Sequence, residues 1–205
     1  MVIITFAHPA EAQIFLKRKH TQKVDFFFPG FYRDDSEFLL LTGEGIQMTT
    51  IRLSAVCTYY GNKIKRIINF GIAGSLSDAL QPNQIYGINR VHHELIGHKG
   101  FPSFQCMETH SKIDCITALE RVTSDTYVKR ISGHAQLVDR ELWGIGSVAE
   151  AFNIPFKSYK LISDIAGDTT DTAEIVNRAD EYSLHLFDFY KNLSLKEEND
   201  TEIKK

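Results

Sequence analysis

Acidic side chains stand directly after three apolar segments of the sequence. In VDRELWGIG, Asp139 and Glu141 lie where a predicted strand leads into a small-residue helix, and in YKLISDIAGD, Asp164 follows a hydrophobic strand. Glu11 lies just beyond the first apolar run, VIITFA. Carboxyl groups can act as a general acid or base, and an ionised carboxylate can bind hydroxyl groups. These positions therefore indicate a functional site, with helix N-capping as the competing interpretation of Asp164 and Glu141.

The elements around these acids follow an alternating order of strands and helices. The segment from Gln84 to about Thr117 is β-like and lacks a helical period. Strands are predicted at VIITFA, VDFFFPGFY, EFLLLTG, IKRIINFGIAG, AQLVD and PFKSYKLIS, and helices at Pro9 to His20, IQMTTIRLSAVCTYYG, Glu141 to Asn153 and Thr172 to Leu193. This order predicts an α/β sandwich, in which ligands bind beyond the carboxyl ends of the strands.

Bulk properties narrow the class of protein. A chain of 205 residues suits one domain, predicted at 1–194, and the charged end at 195–205 is predicted to be a disordered tail. A net charge of −3 offers no attraction for nucleic acid or an anionic membrane, so the expected partner is a small molecule. With neither a secretion signal nor a membrane-spanning run in the sequence, we expect a cytoplasmic protein.

Cysteine and histidine residues give no metal signal. Cys57, Cys106 and Cys115 are scattered without CxxC spacing, which predicts buried reduced thiols. HHELIGH is similar to a zinc protease helix, but His93 and His98 are five residues apart rather than four. We therefore predict no metal site and no cofactor.

Three motifs, in order along the chain, resemble the signatures of the purine nucleoside phosphorylase and 5′-methylthioadenosine/S-adenosylhomocysteine nucleosidase superfamily. They are NFGIAGSL, VDRELWGIGSVAEAFNIPF and ISDIAGD. Their usual forms are an NxGxAG glycine turn, an acidic V-E/D-M-E segment followed by a small-residue helix and PF, and a strand that ends in ISD. The resemblance implies a three-layer α/β/α sandwich with a central mixed β-sheet. It also implies a homodimer, for which the helix that contains RLSAVCTYY offers an apolar surface.

The resemblance implies cleavage of an N-glycosidic bond, which needs an acid for the leaving base and stabilisation of a cationic sugar. Asp164 would protonate N7 of the purine, and Glu141 would bind the ribose hydroxyls. Glu11 would activate water, although an ordinary surface glutamate at a helix start is the alternative. Phosphorylases carry an arginine two residues ahead of the glycine turn. This chain has Asn69 there, which favours hydrolysis.

Other predicted substrate-binding residues follow from the same motifs. The turn that contains Gly71, Ala73 and Gly74 would bring backbone close to the ligand in angles that other residues avoid, with a plain tight turn as the alternative. Ser163 belongs to the ISD motif. Tyr127 would stack on the base while the Val128 backbone reads its edge, although core packing explains an aromatic residue equally well.

Departures from the motifs concern the substrate. Arg140 stands where methionine is usual, and it either enters the site and pairs with a substrate anion or forms a surface ion pair. Ile72 replaces a small polar residue, Lys160 replaces an arginine, and the segment between Tyr127 and Val138 is short for the usual helix. Methylthioadenosine or adenosylhomocysteine is the first substrate hypothesis. A futalosine-type nucleoside is the second, because AHPAEA resembles futalosine hydrolases and Arg140 could meet a benzoate. A phosphorylase and a noncatalytic nucleoside-binding relative stay open.

Overall fold

The computed structural model describes residues 1–19, 21–34, 37–107, 111–167 and 172–202. The strands are β1 (Val2–Phe6), β2 (Gln22–Lys23), β3 (Phe31–Arg33), β4 (Glu37–Leu41), β5 (Arg66–Ser75), β6 (Ile85–Gly87), β7 (Arg90–His93), β8 (Phe104–Gln105), β9 (Asp114–Thr117), β10 (Leu137–Asp139) and β11 (Phe156–Ile165). The helices are α1 (Pro9–Arg18), α2 (Gly45–Tyr60), α3 (Asp125–Ile131), α4 (Leu142–Ala151), α5 (Thr172–Asn177) and α6 (Ala179–Glu202), with a short 3₁₀ turn at Gly61–Lys63.

The strands of the described residues form one mixed sheet. Its order is β2-β3-β4-β1-β5-β10-β9-β7-β8, while β11 pairs along β5 and β6 pairs with β11. The strands β4, β1, β5 and β11 run parallel, whereas β10 is antiparallel to β5. The predicted mixed sheet is confirmed, and so is the β-rich middle of the chain, which supplies β6 to β9.

Successive residues of the central strands alternate between the two faces of the sheet. Ile3 and Ile67 belong to a core cluster that also contains buried residues of α2 and α4. Their neighbours Ile4 and Ile68 belong to a second cluster, with residues of α1 and α6 such as Phe15. Because a strand turns successive side chains to opposite faces, this division places one helix layer on each face. The predicted three-layer α/β/α sandwich is therefore confirmed.

β1 and β10 pair with different parts of the same edge of β5 and leave a gap between them. β1 pairs with β5 from Arg66 to Asn69, and β10 pairs with Gly74 and Ser75, while β11 occupies the other edge throughout. No strand of the described residues thus pairs with the residues between Asn69 and Gly74 on that edge. A backbone donor in this gap needs another acceptor.

The structure differs from the predicted elements in four places. The aromatic segment before Pro29 is not a strand, because Phe26 packs on the rings of Phe31 and Tyr60 and the chain turns at Gly30, where φ is +93°. The glycine motif is not a turn but part of β5, and Gly71 and Gly74 do not have positive φ angles.

The predicted C-terminal helix is interrupted at Arg178, whose guanidinium donates to the Asn83 side chain at 2.7 Å. The segment between Tyr127 and Val138 does contain part of a helix, α3. This helix begins before Tyr127, at Asp125 with Ser124 as its N-cap, and ends at Ile131.

The C-terminal helix α6 extends to Glu202 and so covers most of the predicted tail, while residues 203–205 lie outside the described residues. The predicted domain boundary at 194 stays a prediction. Within the described part of the chain, no helix is long and apolar enough to cross a membrane. Cys57, Cys106 and Cys115 are free and buried, as predicted.

Candidate active site

A cavity of about 270 Å³ opens at the carboxyl ends of β1, β5, β10 and β11. Seven of the predicted site residues line it: Glu11, Ala73, Gly74, Arg140, Glu141, Ser163 and Asp164. The sheet therefore brings together the three acids that are widely separated in the sequence. Open α/β sheets bind their ligands at this edge.

Glu11 lies at the start of α1, and its carboxyl group accepts from two backbone N–H groups. Its Oε2 accepts from the His8 N–H at 3.1 Å in a capping box, in which the His8 side chain accepts from Ala10. Its Oε1 accepts from the Ile72 N–H at 3.1 Å, which is a donor in the open edge of β5. Burial raises the pKa of Glu11, although nearby Lys160 opposes this shift. Glu11 is buried, so the ordinary surface-glutamate interpretation is wrong.

Lys160 and Asp139 form a buried ion pair beside the cavity, which Asp139 lines. The Lys160 Nζ lies 2.8 Å from Oδ2 of Asp139, and both side chains are almost inaccessible to solvent. Burial alone would lower the pKa of the Lys160 ammonium, but the Asp139 carboxylate beside it raises that pKa above its usual range. The ammonium also faces Glu11 across Gly71. A Cβ at Gly71 would lie 3.3 Å from Lys160 Nζ and 3.4 Å from Glu11 Oε1, so glycine leaves room for both groups.

The first turn of α4 is capped by Asp139 and Thr117. Asp139 Oδ2 accepts from the Leu142 N–H at 2.9 Å, and Thr117 Oγ1 accepts from the Trp143 N–H at 2.9 Å. The Thr117 hydroxyl donates in turn to Asp139 Oδ1 at 2.6 Å. Glu141 stands at the N-cap position but makes no side-chain cap bond. The capping interpretation of Glu141 is therefore wrong, and its carboxyl group is available to the cavity.

Glu141 instead accepts from the Gly45 N–H, at 2.7 Å from its Oε1, at the start of α2. Burial, and then the negative charge of Asp139, raise the pKa of Glu141 from 4.5 to about 7, against the opposing charge of Lys160. Its carboxyl group therefore gains or loses a proton near neutral pH.

Asp164 is positioned by a bulge in β11. Pairing with β5 shifts by one residue between Ile162 and Asp164, which leaves Ser163 as the extra residue. Such a bulge bends a strand and redirects its side chains. The Ser163 hydroxyl donates to Asp164 Oδ1 at 2.5 Å, and Arg121 Nη2 lies 3.9 Å from Oδ2. Asp164 lies inside β11 rather than at a helix start, so the capping interpretation is wrong for it too.

Arg140 lies at the mouth of the cavity. Its Nη1 donates to Glu44 Oε2 at 3.3 Å, in a pair that is exposed on both sides. Its Nε is buried and has no hydrogen-bond partner among the described residues. Arg140 thus combines the two predicted alternatives, since it lines the cavity and also forms a surface ion pair.

Three predicted site residues do not line the cavity: Gly71, Tyr127 and Val128. Gly71 lies next to Lys160 Nζ and the Glu11 carboxyl group. Tyr127 is on α3, where its hydroxyl donates to Glu94 and Arg130 stacks on its ring. Val128, on the same helix, packs against a small core cluster with residues such as Val122 and Ala166. His93 is also explained structurally, because it stacks on Phe101 and accepts from the Leu95 N–H.

Sequence reasoning missed Arg121 and the pairing of Asp139 with Lys160. Arg121 follows β9 by four residues, and the rule that selected the acids, a polar residue just beyond a strand, would have selected it. The ion pair could not be found in this way, since β10 and β11 are separate in sequence and only the folded sheet brings their residues together.

Comparisons with known proteins agree with this fold. No model of a protein family matches the sequence, and no curated protein matches it. Solved structures, in contrast, match the fold of this chain. The 5′-methylthioadenosine/S-adenosylhomocysteine nucleosidase of S. pneumoniae has a TM-score of 0.80 at 14% identity, over 91% of this chain and 95% of that chain. The Helicobacter pylori enzyme of the same name has a TM-score of 0.83 at 13% identity, over 95% of this chain and 97% of that chain.

A third neighbour is the native futalosine hydrolase of Helicobacter pylori, with a TM-score of 0.82 at 13% identity, over 95% of this chain and 97% of that chain. The predicted resemblance is therefore confirmed in the fold. At these identities the likeness concerns the fold alone.

The raised pKa of Glu141 predicts a pH-dependent effect of Glu141→Gln on stability. Between pH 4.5 and about 7 the folded protein keeps a proton on Glu141 that the unfolded chain has lost. The free energy of unfolding therefore falls through this range and stays lower above about pH 7, where Glu141 is charged in the folded protein. We expect similar unfolding free energies at pH 5. At pH 8 the variant should be more stable by up to about 3 kcal/mol. Urea unfolding at both pH values checks this.

The matched control is Glu150→Gln, which changes an exposed glutamate on the same helix. Its effect on the unfolding free energy should be small and equal at the two pH values. An effect of Glu141→Gln that is equal at pH 5 and pH 8 would contradict the buried, proton-holding environment.

Proposed function

We propose that the protein hydrolyses the N-glycosidic bond of a 5′-modified purine nucleoside and releases the free base. The observation that carries this proposal is the meeting of Glu11, Glu141 and Asp164 in one cavity at the sheet edge. Each of the three carboxyl groups has a different set of hydrogen-bond and ion-pair partners. The neighbours of the same fold include enzymes named for hydrolysis of purine nucleosides.

The reaction divides between the three carboxyl groups. Asp164 donates a proton to N7 of the purine as the bond from the base to C1′ of the sugar breaks. Ionised Glu141 accepts hydrogen bonds from the ribose hydroxyls and stabilises the positive charge that develops on the sugar. Glu11 accepts a proton from water as the water oxygen bonds to C1′. The two backbone N–H groups that bind Glu11 hold its carboxylate in place for this step.

Water rather than phosphate is the proposed nucleophile. Asn69 stands where phosphorylases carry an arginine, and it is buried inside the sheet. Its amide donates to Thr5 and its oxygen accepts from the Ser158 hydroxyl at 2.9 Å. Asn69 does not line the cavity, so it offers no charge there for phosphate.

Methylthioadenosine or adenosylhomocysteine is the first proposed substrate. A futalosine-type nucleoside is the second, and one observation favours it: Arg140 lines the cavity with a buried Nε that has no partner among the described residues. A guanidinium can bind the carboxylate of an acidic 5′ substituent.

The proposal predicts base release without phosphate. Incubation with methylthioadenosine, and separately with futalosine, in phosphate-free buffer should yield free adenine or hypoxanthine on chromatography. Strict dependence on phosphate, with formation of a sugar 1-phosphate, would support a phosphorylase instead. Binding of the nucleosides without any base release would support a noncatalytic relative.

Asp164→Asn should slow base release by roughly a hundred- to ten-thousandfold, because asparagine cannot donate the proton. The loss should appear in kcat and kcat/KM together, since the interaction forms in the transition state. One neighbour of this fold is an aspartate-to-asparagine mutant with 5′-methylthioadenosine in its active site. Turnover and melting temperature should be measured beside Asp125→Asn, an exposed change on α3. Near-normal turnover of Asp164→Asn would remove this residue from the mechanism.

We also propose a homodimer formed through α2. This helix exposes Met48, Ile51 and Tyr59, and the exposed ring of Phe27 lies 6.4 Å from that of Tyr59. Exposed apolar patches of this kind are typical of subunit interfaces.

Light scattering at micromolar concentration should give a dimer mass, which Ile51→Glu should lower to that of a monomer. A monomeric parent protein would be the contrary result.

A further inference from the structure

Arg121 lies beside the carboxyl group that faces the purine in the proposed reaction. It lines the cavity, its side chain is 33% exposed, and its Nη2 is 3.9 Å from Asp164 Oδ2. That distance is longer than a hydrogen bond. The other oxygen of Asp164 already accepts from the Ser163 hydroxyl. The guanidinium therefore flanks the oxygen of Asp164 that Ser163 does not contact.

The position of Arg121 matters because of the chemistry of the purine edge. N7 and the substituent at C6 lie on the same edge, where a 6-oxo group accepts hydrogen bonds and a 6-amino group donates them. A guanidinium donates and never accepts. If Asp164 meets N7, a cation beside Asp164 is close to the C6 substituent. A 6-amino group at this place would direct its N–H donors at the N–H donors of the guanidinium, so the two groups could not form a hydrogen bond.

We infer that Arg121 makes the cavity selective for purine nucleosides with an oxo group at C6 over those with an amino group. The inference rests on the proposed function, because that function places N7 at Asp164. It narrows the substrate class from purine nucleosides to those that release a hypoxanthine- or guanine-like base. It therefore favours the second proposed substrate, a futalosine-type nucleoside, over methylthioadenosine and adenosylhomocysteine. The base is recognised here by a side chain that follows β9, separately from the groups that bind the sugar.

Two acceptors could reverse this preference, namely Asp164 Oδ2 and the carboxylate of Glu120. The positive charge of Arg121, 3.9 Å from Asp164 Oδ2, opposes donation by a 6-amino group to that oxygen. Glu120 precedes Arg121 and lines the same cavity. Glu120 is exposed, however, whereas the Asp164 side chain is only 13% exposed and pairs with Arg121. Because water competes for the exposed Glu120 carboxylate, the guanidinium that pairs with the largely buried Asp164 has the stronger influence on the base.

The test measures binding of the free bases, which does not depend on turnover. Calorimetry of the intact protein with hypoxanthine and with adenine should give a dissociation constant at least about tenfold lower for hypoxanthine. Arg121→Met should remove this difference by weakening hypoxanthine. Arg121→Gln, whose amide both donates and accepts, should bind the two bases about equally. Arg18→Met removes an exposed arginine of α1 and should leave the preference unchanged.

Several results would overturn the inference. They are equal or tighter binding of adenine by the parent protein, a hypoxanthine preference that survives Arg121→Met, and failure of both bases to bind. An adenine preference that disappears in Glu120→Gln would assign base selection to Glu120 instead. Melting temperatures of each variant identify any loss that comes from unfolding.

Hydrolysis assays separate this inference from the proposed function. The parent protein should release base faster from 5′-methylthioinosine than from 5′-methylthioadenosine, and Arg121→Met should narrow that ratio. Selective binding of hypoxanthine without hydrolysis of either nucleoside would support the base selectivity and contradict the proposed reaction. Efficient hydrolysis with adenine preferred would contradict the base selectivity and support the reaction.

Discussion

The buried ion pair between Lys160 and Asp139 is the interaction on which the site depends. Two charges removed from water are stable only when they are paired and hydrogen-bonded, and removal of one partner of such a pair typically costs about 3–5 kcal/mol. Here the Asp139 carboxylate accepts from Lys160, Thr117 and the first N–H of α4, so it joins β9, β10, β11 and that helix. The pair thereby fixes the end of β10, and with it the direction in which Glu141 leaves the chain.

The same pair determines the charge balance around the cavity. One ammonium faces three carboxyl groups, those of Asp139, Glu11 and Glu141. Asp139 is in direct contact with the ammonium, while the other two have raised pKa values because burial outweighs the more distant cation. A buried cluster with more carboxylates than cations favours retention of a proton. The geometry of the sheet therefore provides a carboxyl group, that of Glu141, which can exchange a proton near neutral pH.

The sequence predicted the parts of this structure that depend on local pattern and order. The alternating order of strands and helices predicted an α/β sandwich, and acids just beyond strands predicted the cavity wall. The three layers and the mixed sheet were predicted from the resemblance of three motifs to a known family. The glycine motif was wrong as a turn, because β5 continues through it beside β11. Pairing of Lys160 with Asp139, and the position of Arg121 beside Asp164, depend on how distant strands meet. No periodicity within one segment encodes such a meeting.

Each of three carboxylates at the site accepts a hydrogen bond from a backbone N–H of another element, in addition to any side-chain partner. The N–H of Ile72 binds Glu11, that of Leu142 binds Asp139, and that of Gly45 binds Glu141. A peptide N–H is the same whatever side chain its residue carries, and proline alone lacks it. Positions 72 and 142 can therefore change their side chains without loss of these anchors. An arrangement of this kind tolerates extensive sequence drift, and structures of the same fold at 13–16% identity show how far drift can proceed while a fold persists.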